Sequence, residues 1–501
     1  MTRRLVKPAV DLVDRITGRI IRIIVFDLPS AEERLRIAKT QGVNMRDAAR
    51  QELARTVLGR VIEPAEEGYD EARRIWNARF DRRPDVIVQC KTSEDVRVAV
   101  DFARKQRVMV SVKSGGHAYA ANTVGDGGVL IDLSLMKAIE IDAEQQTARV
   151  QPGVSWGELY AATQASGLAP VGGTVSSVGV AGFTLGGGSG DLTRQHGMGC
   201  DNLLAAEVIT AEAEIVRASS KENPDLFWAL RGGGGNFGVV TSFKLRLHDI
   251  GPEVLSGQAV HRFAHARDVL RFYRTFMLRA PECMLCYAFL MRVPPIPEFP
   301  AEFHGQLALD LVVFSSDPTG ESALRPLLDF GEPILSFLEH KSFTQSQQAF
   351  NAAMPAGNRW ESRSHYLTSL SDDAIDAFIA AVDDMPGMFS CAYFATETGA
   401  ASRAEPSSTA FPHRDAPFSV HVLGGWTDAA EDEKVSAWVR DLHQAMTPYS
   451  TGGVYVNLLG TDEQNRVPAA YGANFARLRA IKAKWDPDNL FRMNHNIDPA
   501  A

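Results

Sequence analysis

Residues 112–120 read VKSGGHAYA, and His117 is the side chain whose neighbours most suggest chemistry. Gly115 and Gly116 let the backbone turn and approach another group closely, because glycine lacks a Cβ and tolerates positive φ. By itself the nonapeptide fits a surface turn with an incidental histidine. It also fits a loop built round a ligand, with His117 aimed at it. A second stretch, GGTVSSVGVAGFTLGGGSG, holds eight glycines in the nineteen positions 172–190. A flexible linker would not interleave Val175, Val178, Val180, Phe183 and Leu185, so the pattern predicts packed backbone pressed against a large ligand. A third cluster, LRGGGGNFGVVTSF, contains GxGxxG at Gly233, Gly235 and Gly238. A dinucleotide fold needs a strand before that motif and a helix after it. Here a helical PDLFWAL precedes and a strand follows, which excludes that fold. There is no GxxxxGK[ST] or HExxH motif. Cys283 and Cys286 form a CxxC without a second Cys or His pair at zinc spacing, and Met284, Leu285 and Tyr287 around them read as a core strand. No metal site is expected.

The elements that must position these loops are short. Val108 to Val112 is apolar and β-branched, as a buried strand leading into the His117 loop would be. VIVQC, VLIDLS, AIEID and ARVQPG are further strands. TSEDVRVAVDFARKQ is an amphipathic helix with Thr92 or Ser93 as N-cap, and Ser155 with Glu158 makes a capping box for SWGELYAATQASG. In VVTSFKLRLH, Phe243, Leu245 and Leu247 alternate with Lys244, Arg246 and His248, as on a half-buried strand. From about 249 the glycine clusters vanish and prolines become frequent. LALDLVVF and FSVHVLGGW then suggest an antiparallel sheet, with helices such as DDAIDAFIAAVDDM on one face. The last fifty residues return to a helix, NFARLRAIKAKW, stopped by Asp486-Pro487. Residues 1–55 look helical: apolar positions recur at helical spacing from Val10 to Ile24, and Ser30 with Glu33 offers a capping box.

Bulk properties bound the function. A chain of 501 residues can build two or three substantial cores. With 52 basic against 61 acidic residues the net charge is −9, which argues against nucleic acid or an anionic membrane as partner. Five irregularly spaced cysteines do not describe a disulfide framework. Arg3-Arg4 has no apolar segment behind it, and IIRIIVF is too short to span a bilayer. A soluble, cytoplasmic protein is expected; its oligomeric state is not readable.

In order along the chain, DRRPDVIVQCKTSEDVRVAVDFARK, VKSGGHAYA, GGTVSSVGVAGFTLGGGSGDLTRQHG, DLFWALRGGGGNFGVVTSF and NFARLRAIKAKWDPDNLFRMNHNI resemble the berberine-bridge-enzyme-like FAD-linked oxidases of the vanillyl-alcohol-oxidase/PCMH superfamily. The resemblance covers roughly residues 58 to 498. It implies an α+β fold: a two-part PCMH-type FAD-binding domain over 56–248, a substrate domain over 249–450 with an antiparallel sheet covered by helices, and a C-terminal segment, 451–501, returning to the FAD domain. Residues 1–55 would be a helical extension. It also implies FAD bonded covalently to His117 and held by Lys113, Ser114, Gly115, Gly116, Ala118, Gly172, Gly173, Thr174, Val178, Gly179, Gly182, Val240, Asn457 and Asn494. The backbone N–H groups of such loops can hold a pyrophosphate without a Rossmann helix.

The chain departs from the family at two positions. Val175 stands where many members carry a second flavin-linking cysteine, so a single link through His117 is expected. The family's Tyr-x-Asn-Tyr reads Tyr455-Val456-Asn457-Leu458, which puts leucine in place of the tyrosine that takes the substrate proton. Tyr455 and Tyr119 are the expected catalytic substitutes, with Glu397, His365 and His413 as weaker candidates. Were 455–458 a strand, Tyr455 and Leu458 would face opposite ways. Val178, at the position near the flavin's oxygen-reactive carbon, resembles the oxidases. The activity the resemblance implies is an oxidase that removes hydride from a C–H beside O or N of a small organic molecule, with molecular oxygen as acceptor and hydrogen peroxide as product. The alternatives are a dehydrogenase with another acceptor, or a flavin-binding protein with little catalysis.

Overall fold

The computed structural model describes residues 10–13, 20–23 and 47–499. The chain divides into two units, residues 1–55 and 56–501. In the first, Val10–Val13 pairs antiparallel with Ile20–Ile23, and residues 47–55 are helical. The expectation of a helix from Val10 to Ile24 is therefore corrected. Short apolar runs satisfy the helical and the strand period alike, and the β-branched residues Val10, Val13, Ile20, Ile21 and Ile23 favour the strand. The Ser30/Glu33 capping box lies outside the described residues.

The second unit begins with a four-stranded sheet in the order Arg60–Ile62, Val86–Gln89, Val129–Asp132, Val110–Lys113. Its last three strands run parallel, so the chain must cross over between Val86–Gln89 and Val110–Lys113. Helix Ser93–Gln106 makes that crossing. It starts at a capping box in which Asp95 N–H donates to Thr92 Oγ1 at 3.1 Å, and the Asp95 carboxylate accepts from the Thr92 N–H at 3.2 Å. A five-stranded antiparallel sheet follows, ordered Ile215–Ser219, Leu203–Ile209, Val239–Arg246, Thr147–Val150, Ile139–Asp142. Helix Trp156–Gln164, capped by Ser155 and Glu158, and helix Pro224–Leu230 belong to the same part of the chain.

A seven-stranded antiparallel sheet makes up the rest: Leu335–Lys341, Val254–Arg262, Leu307–Ser315, Met284–Arg292, Cys391–Thr396, Phe418–Trp426, Arg359–Leu367. Alternation along a strand divides its two faces. On Met284–Arg292, Met284, Cys286, Ala288 and Leu290 join the core formed with helices Ala266–Met277, Asp372–Val382 and Asp432–Met446. Tyr287, Phe289 and Met291 face the opposite way, into a cavity. The CxxC thus ends in a buried core strand, as its apolar flanks indicate.

The C-terminal helix Phe475–Trp485 closes back on the glycine loop 232–238. Its fully buried Lys482 Nζ donates to Asn236 O at 2.8 Å and to Phe491 O at 3.1 Å, and pairs with Asp486 at 2.6 Å. Asp486 also accepts from the N–H groups of Leu490 and Phe491, so the residue that stops the helix anchors the segment after it.

Candidate active site

Strand Val110–Lys113 ends where the chain enters the glycine-rich loop that carries His117. Gly116 sits at φ +66°, a conformation that L side chains rarely adopt. Gly115 meets Gly179 backbone to backbone, and a Cβ on Gly115 would lie 2.5 Å from Gly179 N. The first glycine loop is thus locked against the second, and only glycine at both positions permits the contact. Together the loops border a cavity of about 890 Å³ whose far wall is the free face of the seven-stranded sheet.

His117 is half-buried on the loop side of the cavity. Its ring stacks on Trp76 with centroids 4.5 Å apart and 22° between planes, and its Nε2 lies 2.8 Å from Ser177 Oγ. Trp76 in turn stacks on Trp360 at 4.8 Å, which ties the loop to strand Arg359–Leu367. Burial lowers the imidazole from 6.5 to about 4, so it is neutral at physiological pH and keeps one ring lone pair for bonding. Nothing near His117 in sequence announced Trp76 or Trp360.

Ser114, Gly115, Gly116, Ala118, Gly173, Thr174, Val178, Gly179, Gly182, Val240, Asn457 and Asn494 line the same cavity, as do Tyr119 and Tyr455. Lys113 and Gly172 do not. Lys113 Nζ turns inward, donating to Ala72 O and pairing with buried Asp132 at 3.3 Å. Gly172 is pressed under Trp156 and Tyr160, where a Cβ would come within 2.3 Å of the indole. Other glycines of the run are likewise closed by protein: Gly190 by the Gly172 carbonyl and Gly186 by the Asn457 amide. The expectation that the whole run presses on a ligand is therefore narrowed. Tight backbone packing explains these positions.

What remains suits a large polar ligand. A Cβ at Gly182 or Gly235 would meet no protein atom within 4 Å, and both residues line the cavity. Asn494 donates to Gly235 O and Phe491 O, while its Oδ1 is buried without a partner. Bare backbone and an orphaned acceptor along one wall fit a dinucleotide cofactor.

Residues 84–219 match the family model described as an FAD binding domain, and residues 454–498 match the one described as berberine and berberine like. The FAD-linked oxidoreductase YgaK of Bacillus subtilis is 32% identical over 88% of this chain and 97% of its own length. The (R)-6-hydroxynicotine oxidase of Paenarthrobacter nicotinovorans is 30% identical over 89% and 97%. The crystal structure of 6-hydroxy-D-nicotine oxidase from Arthrobacter nicotinovorans superposes with a TM-score of 0.79, at 28% identity, over 89% of this chain and 98% of that one. The chain belongs to the berberine-bridge-enzyme-like FAD-linked oxidoreductases.

Against that family, the environment of Leu458 is informative. Residues Val456–Leu458 form a 3₁₀ turn, with Leu458 N–H donating to Tyr455 O at 2.9 Å. The segment is not a strand, and three residues per turn bring Tyr455 and Leu458 to the same side. Both line the cavity and share one apolar cluster. Tyr455 is not a free base. Its hydroxyl oxygen accepts from Gly188 N–H at 3.0 Å and from Asn457 Nδ2 at 2.9 Å, and burial pushes the phenol up to about 12. Its bonds brace the glycine loop. Tyr119 sits edge-on to Trp76 at 5.4 Å, and burial raises its hydroxyl well above the ordinary phenol range.

Of the weaker candidates, His365 stacks on His443 and His413 on Tyr366, and neither lines the cavity. Glu397 does. It lies just beyond strand Cys391–Thr396, and its Oε1 is 2.7 Å from Ser419 Oγ, which is 2.7 Å from His421 Nε2. Burial raises the Glu397 carboxyl, and burial lowers His421 to about 3, so the imidazole is neutral. Ser419 has one proton. With an ionised Glu397, that proton goes to the carboxylate while His421 Nε2–H donates to Ser419 Oγ. Ser419 and His421 alternate on one strand, a pattern visible in FSVHV, but their link to Glu397 spans 22 residues.

Proposed function

We propose that this FAD-linked oxidoreductase is an oxidase with its cofactor joined covalently to His117 alone. It would remove a hydride from a C–H beside O or N and a proton from that O–H or N–H, and pass the two electrons to oxygen, yielding hydrogen peroxide. The observation that carries the reading is His117 itself: a neutral imidazole fixed between Trp76 and Ser177 on the wall of a glycine-lined cavity. FAD, when bound, supplies the hydride acceptor.

The chain's own residues do the rest. The loops of Gly115–Gly116 and Gly234–Gly235, with Asn494, hold the cofactor's polar groups. Trp76 and Ser177 orient the imidazole for bonding. Val175 lines the cavity where a second link would need a thiol, which supports a single bond. Val178, half-buried on the same wall, supports oxygen as the acceptor. With leucine at 458, the group best placed to take the proton from a substrate O–H or N–H is the Glu397 carboxylate, oriented by Ser419 and His421.

The decisive experiment is acid precipitation followed by peptide mapping. One flavinylated peptide containing His117 is expected, and complete release of flavin from fully loaded protein refutes the link. Anaerobic reduction across a library of alcohols, amines and sugars, followed by admission of air, tests the acceptor. Slow reoxidation in air beside fast reoxidation by a quinone would make the protein a dehydrogenase instead.

A further inference from the structure

One row of the sheet's cavity face carries an unanswered charge. Asp310, Phe289, Tyr393 and His421 stand directly opposite one another in register on four adjacent strands. All four line the cavity. Phe289 and Tyr393 pack at 4.5 Å between ring centroids, and Tyr393 stacks on His421 at 4.6 Å and 8°. Phe350 closes over Phe289 at 5.4 Å. The row is an aromatic floor with the Glu397–Ser419–His421 group at one end and Asp310 at the other. Three strand spacings separate Asp310 from His421, about 14 Å.

Asp310 is 4% exposed, and its Oδ1 has no hydrogen-bond partner. Among the described residues, no ion pair includes it. The nearby cationic wall residue, Arg292, spends its guanidinium on the carbonyls of Met385 and Gly305, at 2.8 and 3.0 Å. A buried carboxyl without donor or counter-charge is costly, and a protein rarely keeps one that nothing uses. Burial alone holds it up at about 7, a penalty that an arriving cation would offset.

Resting on the oxidase reading above, we propose that the substrate is an elongated aromatic molecule with a cationic nitrogen remote from the reacting carbon, and that this nitrogen pairs with the Asp310 carboxylate. Two observations favour a cation over a neutral hydroxyl. The carboxyl has no positive partner, and the wall beside it is aromatic, a surface that accommodates cations. The length of the row sets the substrate's shape. With the nitrogen at Asp310, the oxidised carbon sits at the other end, beside Glu397.

The test is calorimetric titration of the FAD-loaded protein with 4-phenylbutylamine and with its neutral isostere, 4-phenylbutan-1-ol. The ammonium should bind about tenfold or more tightly than the alcohol. Asp310→Asn should abolish that preference while Glu397→Gln keeps it, and Asp310→Ser serves if the Asn variant fails to fold. Equal affinity of the two probes, no binding of the ammonium, or loss of the preference only in Glu397→Gln would each overturn the proposal. Flavin content is measured first by absorbance. Protein without flavin would refute the oxidase reading, whereas the titration reads the cation site by heat of binding and needs no flavin turnover.

Discussion

If His117 bonds to FAD as a neutral imidazole, its environment dictates how attachment depends on pH. Burial lowers its pKa from 6.5 to about 4. At pH 5 an unperturbed histidine would be only about 3% neutral, whereas one titrating near 4 is roughly nine-tenths neutral, a difference of about 30-fold in the reactive form. The sign follows from the cause: burial disfavours the charged ring, so the nucleophile persists into acid. Apoprotein made under flavin starvation, mixed with FAD between pH 5 and 8, should gain acid-stable yellow colour at a nearly constant rate. Intrinsic fluorescence, followed in parallel, ensures that the chain stays folded across that range. A rate that halves near pH 6.5 and falls about tenfold per unit below it would show that His117 is not shielded, and the reasoning from its burial would fail.

Glu397→Gln should slow anaerobic flavin reduction by about 10²–10⁴-fold without lowering FAD content, measured by stopped flow; a wild-type rate would remove Glu397 as proton acceptor. Tyr455→Phe leaves the Gly188 N–H and the Asn457 amide without their shared acceptor. It should cost about 1–3 kcal/mol of stability in urea unfolding, with a smaller effect on reduction than Glu397→Gln; the reverse ranking would make the tyrosine the base. Thermal stability should be greatest above about pH 6.5 and fall as pH drops through 5. Burial depresses His261, His365, His413 and His495 to about 4, and His248 and His421 to about 3, so the unfolded chain binds more protons in that window. Asp191 and Asp310, both held up to about 7, oppose the trend but are fewer, and a melting temperature that rises on acidification would contradict this balance.

The elements that depend on near neighbours were legible in the chain. Thr92 and Ser155 cap the helices their capping boxes imply, and the helix before GxGxxG and the strand after it stand where the pattern puts them. The glycine loops and His117 were legible for the same reason: turn chemistry and close backbone approach leave a mark in adjacent residues. The error at Val10–Ile23 marks the limit of that reading, because a short apolar run satisfies two periodicities. Residues 455–458 mark a second limit. They coil, and the Tyr455 hydroxyl that flanks the turn meets Gly188, 267 residues away. Alternation along the sheet strands showed that two faces exist, but not which one borders a cavity. Only the folded chain sets Trp76 over His117, runs Asp310, Phe289, Tyr393 and His421 into one row, and leaves the Asp310 carboxyl without a partner. Those contacts join residues far apart in sequence. A residue's type records the backbone it can adopt and whether it prefers burial; its distant partner is chosen by the register and packing of the whole sheet.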